Sequence, residues 1–148
     1  MPITRTTGVL ITLLLAAACG STPGGPPDIV VDRSACSHCT MLISEPRYAA
    51  AYEAPGADAK VFDDIGCLLQ AAQKESATGL RYWFHDGNDG TWIDGDPVFV
   101  VSPEFRTPMG GGILAYRDGA TAEQAAGRYN GRIVRSLPDL IKEKGEQK

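Results

Sequence analysis

Beyond residue 18, no segment of the 148-residue chain is long and apolar enough to cross a bilayer, which takes about 20 residues, so no internal membrane span is expected. A basic excess is also missing. The chain has 14 Lys and Arg against 18 Asp and Glu, a formal net charge of −4, which argues against nucleic acid as a partner. Histidine is scarce, with two in all. No His or nucleophile constellation accompanies the adjacent carboxylates Asp63 and Asp64, so they read as helix caps rather than as a catalytic acid and base. A second Cys-x-x-Cys pair is lacking, which weakens the case for a closed structural zinc site. The chain is expected not to be an enzyme.

What is present begins with an address. Arg5 supplies a positive start, and Val9 to Ala18 is an apolar run interrupted by Thr12, the pattern of a secretory signal over residues 1–18. The run ends Leu15-Ala16-Ala17-Ala18-Cys19-Gly20. Small residues before a cysteine resemble the lipobox of bacterial lipoproteins, with Ala16 where leucine is usual, and imply lipidation of Cys19 and attachment to a lipid bilayer. The alternative is an ordinary signal cut near Ala18. Ser21 to Pro27 cannot pack a core and reads as a tether over residues 19–27. Loss of Arg5 with the signal leaves 13 of the 14 basic residues against 18 acidic ones, a net charge of −5. Three cysteines then remain: Cys36, Cys39 and Cys67. In an oxidising compartment structural cysteines pair, so an odd thiol needs burial or a role.

The rest predicts an α+β fold. Ile29-Val30-Val31 is a possible strand. Tyr48 to Tyr52 and Lys60 to Phe62 flank the turn signal Pro55-Gly56. Ile65, Leu68, Leu69 and Ala72 have helical spacing, with Asp63 or Asp64 as N-cap, and Leu80 to Phe84 is strand-like. After the turn Asp86 to Gly90 come β-prone Thr91 to Ile93, strands at Val98 to Val101 and Ile113 to Tyr116, and a helix over Thr121 to Tyr129 capped by Thr121. A strand at Ile133-Val134 and a helix over Leu137 to Lys144 end the chain. The two rounds look alike, so the expectation is two tandem ββαβ-like units, residues 28–85 and 86–148, with mainly antiparallel sheets.

Three motifs carry sulfur. Cys36-Ser37-His38-Cys39-Thr40-Met41 sets two thiols, a thioether and an imidazole within six residues. A Cys-x-x-Cys loop converges both thiolates on one ion, and thiolate with thioether selects copper(I). The same pair could instead form a disulfide or a redox couple. Thr107-Pro108-Met109-Gly110-Gly111-Gly112 would hold Met109 at a surface, as a ligand or as filler under a turn. Phe62-Asp63-Asp64-Ile65-Gly66-Cys67 places Cys67 at a helix start, which favours its thiolate; the alternative is a buried core cysteine.

Taken in order, these motifs, with Pro97 to Val101 leading to Pro108-Met109-Gly110 and with Gly131-Arg132-Ile133-Val134, resemble the NosL family of copper lipoproteins over roughly residues 31–137. The resemblance implies a copper(I)-carrying lipoprotein on the outer side of a membrane. It implies a tandem pair of ββαβ units, and delivery of copper to nitrous oxide reductase or its maturation transporter complex. It maps the family's Cys-x-x-Cys-Gly-Met signature onto Cys36, Cys39 and Met41, and its Met-Gly loop onto Met109. Thr40 stands where the family usually has glycine. The candidate metal ligands are therefore Met109, Cys36, Cys39 and Met41, with His38 and Cys67. The competing functions are a thiol–disulfide oxidoreductase using Cys36 and Cys39, and an adaptor lipoprotein that its cysteines merely staple. Against the oxidoreductase, no strand–Cys-x-x-Cys–helix pattern is present.

Overall fold

The computed structural model describes residues 24–146; the signal expected over residues 1–18 and the lipidation expected at Cys19 lie outside them. The elements are β1 (Ala50–Glu53), β2 (Lys60–Phe62), α1 (Ile65–Ala72), β3 (Arg81–Phe84), β4 (Val98–Val101), β5 (Ile113–Tyr116), α2 (Gly119–Arg128), β6 (Arg132–Val134) and α3 (Leu137–Glu146), with a single 3-10 turn at Pro46–Tyr48 before β1. Strand, strand, helix, strand thus occurs twice. Each set forms a three-stranded antiparallel sheet with its first strand in the middle, in the orders β2-β1-β3 and β5-β4-β6. The fold is the α+β pair of ββαβ units that the sequence predicts.

The pairing follows from side-chain size. Phe99 on β4 lies between Ala115 of β5 and Val134 of β6, so one large ring is flanked by smaller neighbours. In the first sheet Tyr52 lies between Lys60 and Tyr82, and its ring stacks on Phe62 at 5.2 Å. The main core cluster, unlike the element order, spans both units. Phe84 of the first sheet meets Phe99 of the second edge-on at 5.0 Å. One buried cluster contains Phe62, Leu68 and Leu69 together with Ile113, Val134 and Leu140. Burying a ring such as Phe99 stabilises the fold by roughly 2–3 kcal/mol. Helix α3 returns to pack on α1, and Gln73 donates its side-chain amide to the carbonyl of Ile141 at 3.0 Å. A smaller cluster, Val100, Phe105, Leu114, Tyr116 and Ala122, lies under α2.

Some expectations fail locally. Ile29 to Val31 is not a strand: Ser34 N–H bonds back to the Val30 carbonyl at 2.8 Å and Asp32 takes a φ of 58°, so the chain turns there. Three apolar residues without a partner strand do not make a ladder. Helix α2 begins earlier than expected because Asp118, not Thr121, is its cap; Asp118 accepts the Thr121 N–H at 2.8 Å. Thr91 to Ile93 forms only an isolated bridge, Trp92 with His85. Among the described residues, no helix is long and apolar enough to cross a membrane.

Candidate metal centre

The start of α1 fixes one side of the site. Asp64 is extended, with φ −147° and ψ 166°, and its Oδ1 accepts the Cys67 N–H at 2.8 Å, which satisfies one of the orphan amides of the first helical turn. Cys67 therefore sits in that turn with its thiol inward, 1% exposed. The other side is the loop from Cys36 to Met41. Cys36 N–H bonds to the Met41 carbonyl at 2.8 Å and Thr40 N–H to the Cys36 carbonyl at 2.9 Å, which closes the loop on itself. Ser37 N–H bonds to Val61 of β2 at 2.8 Å and brings the loop beside Asp63. Thr40 makes the turn with a φ of 66°, a left-handed conformation that suits glycine and strains a β-branched residue.

These two supports gather four side chains. One ligand atom each from Cys36, Cys39, Asp63 and Cys67 lies within 4.8 Å of the other three. Cys36, Asp63 and Cys67 are buried, Cys39 is half-buried, and all three thiols are free. The neighbouring Cys67 thiol holds the Cys36 thiol well below its ordinary range, and backbone groups of Cys39, Asp63 and His38 add to this against the opposing effect of burial. The same pairing, with burial, pushes Cys67 up. Burial raises Cys39 too; its sulfur donates to Asp63 Oδ2 at 3.6 Å. Asp63 is likewise raised by burial. The anionic form is thus favoured at Cys36 and disfavoured at Cys39 and Cys67.

Asp63 Oδ1 is buried with no hydrogen-bond partner. A buried carboxylate oxygen without a donor is costly, and a cation among the neighbouring sulfurs satisfies it. The donor set therefore fits a metal ion on chemical grounds: three sulfurs and a carboxylate on rigidly held backbone.

The remaining sequence candidates are half-buried or exposed. His38 is half-buried and lies outside the four-residue cluster; it lines a cleft of about 320 Å³ with Tyr52, Lys60, Lys74 and Glu75. Met41 is 55% exposed at the loop's end. Met109 is 43% exposed, on the surface as its glycine-rich loop suggests. That loop docks on Asp64: Oδ2 accepts the Thr107 hydroxyl at 2.9 Å and the amides of Met109 and Gly111 at 3.2 Å each. Gly66 and Gly111 touch backbone to backbone; a Cβ on Gly66 would lie 2.9 Å from the Gly111 Cα. Asp63 is the member that sequence reasoning took for a cap. The available signal was the doubled carboxylate: one helix start uses one N-cap, and Asp64 is it.

No protein-family model matches the chain, and no curated protein matches it in sequence. Fold and cluster together define a small α+β protein with a cysteine–carboxylate group able to hold a metal ion.

Proposed function

We propose that the protein is a lipid-anchored envelope carrier that binds copper(I) and passes it to a copper enzyme, as its resemblance to the NosL family implies. Nitrous oxide reductase or its maturation transporter complex is the receiving side, and the lipidated Cys19 ties the carrier to the bilayer. The observation that carries this reading is the convergence of three free sulfurs and an orphaned carboxylate oxygen on one spot. Thiolates favour copper(I) over harder ions. Cys36 offers a ready anion. Cys39, the half-buried thiol, is the edge at which a receiving ligand can exchange. The thioethers of Met41 and Met109 are exposed and are soft donors.

The test is a titration of the reduced protein with copper(I), and separately with zinc, against a competing chelator. Copper(I) should bind at one site per chain and outcompete zinc, and Cys39→Ser should weaken it by at least about a hundredfold. Wild-type affinity in Cys39→Ser, or tight zinc with no copper(I) uptake, would end the proposal. The thiol–disulfide reading fits less well: the lowered thiol, Cys36, is 1% exposed, while the reachable Cys39 is the one raised. An attacking thiol needs both a thiolate and access.

A further inference from the structure

A second cleft lies away from the cysteines, between the 3-10 turn, the loop after β3 and α2. It has two lobes of about 250 Å³ each, and Arg47, Gly87, Tyr116 and Tyr129 line both. Arg128 adds to one lobe and Arg106 to the other. Among the described residues, none of these three arginines has a carboxylate partner, although the chain is acidic overall and its other ion pairs include Arg117 with Asp86 and Asp89, and Arg132 with Glu143. Arg47 is held in place by a neutral contact: it donates to the Gly87 carbonyl at 3.2 Å and lies over the Tyr48 ring at 5.5 Å. Two carboxylates lie nearby, and Glu104 itself lines the second lobe with Arg106. Asp86 accepts the Arg117 amide at 2.9 Å, and Glu104 accepts the Asn130 side-chain amide at 2.6 Å.

The floor gives a second, independent sign. Tyr116 is 5% exposed as a residue and its ring tip is packed close to Gly87, while its hydroxyl, without a protein partner among the described residues, is left open to the cleft as a donor. Aromatic walls are at hand as well: Phe105 and Tyr129 meet at 5.1 Å.

We infer that this cleft is a binding site for a small organic carboxylate with an apolar or aromatic body. The carboxylate is held by Arg47 with Arg128 or Arg106 and accepts the Tyr116 hydroxyl. The body lies on Phe105 and Tyr129. Arginine forks match carboxylates, and the rings favour a hydrophobic ligand over a bare inorganic anion. The site is separate from the cysteine cluster, so binding does not require metal.

The experiment is an NMR titration of the metal-free protein at constant ionic strength, with sodium benzoate in one arm and inorganic phosphate in the other. Benzoate should give saturating shifts at Arg47, Gly87 and Tyr129, with a Kd of about 1 mM or tighter. Phosphate should bind at least about tenfold more weakly. Arg47→Gln should weaken benzoate about tenfold. Tyr116→Phe should also weaken it while leaving the melting temperature about unchanged, because the hydroxyl has no protein partner to lose. Non-saturating shifts, equal affinity in Arg47→Gln, or phosphate binding as tightly as benzoate would overturn the inference.

Discussion

Asp64 accepts the backbone amide of Met109 across 45 residues of chain, at 3.2 Å, while its other oxygen accepts the amide of Cys67 at 2.8 Å. One buried carboxylate thus links the helix that presents a thiol to the loop that presents a thioether. Replacing it by Asn puts an NH2 group against either the helix amide or the loop's donors. Asp64→Asn should destabilise the protein by about 2–4 kcal/mol. Urea denaturation reads this directly, and a loss under about 1 kcal/mol would mean that the loop holds without it.

Asp63 has the opposite signature. Its buried Oδ1 lacks a donor in the metal-free protein, so the side chain is a local liability until a cation arrives. Asp63→Asn should leave metal-free stability unchanged or raise it by up to about 1 kcal/mol, and should weaken metal binding about tenfold or more. Chelator competition and a melting curve on the same sample separate the two effects. Unchanged affinity would remove Asp63 from the ligand set.

Protonation gives a third expectation. Cys36 is held low, whereas Cys39 and Cys67 are raised above the ordinary thiol value of 9.0. At neutral pH the first needs no deprotonation and the other two must each lose a proton to bind as thiolates. Metal binding should release about two protons, so affinity should climb by up to roughly a hundredfold per pH unit between about pH 6 and 8. Calorimetry in buffers of different ionisation heat counts the protons. Release of none would show that the metal is not bound by Cys39 and Cys67 thiolates.

Thr40 supplies the fourth. A β-branched residue at φ 66° is strained, and glycine at this position relieves the strain while adding some unfolded-chain entropy. Thr40→Gly should stabilise the protein by about 0.5–1 kcal/mol in urea denaturation. A destabilised variant would show that the hydroxyl or methyl makes up for the backbone.

Much of this could be read from the chain alone. The spacing of Ile65, Leu68 and Leu69 behind a doubled Asp gave α1, and Val98-Phe99-Val100-Val101 could hardly be anything but a buried strand. Ile29 to Val31 is equally strand-like, but among the described residues no neighbour offers it a ladder, and neighbours are not written in a local window. The gathering of Cys36 and Cys39 with Cys67 depends on the Ser37–Val61 bond, a long-range register that no motif encodes. His38 shows the limit of proximity in sequence: it lies between two cluster cysteines, yet it lines the cleft beside Lys74 and Glu75.

The bare contact between Gly66 and Gly111 has a consequence for descent. Each position is the other's clearance, so a methyl group on either one pries the methionine-bearing segment off the helix start. Lineages that keep this docked arrangement should keep both glycines together, and a relative that has lost one should have rebuilt the whole segment, with a different reach from thioether to thiols.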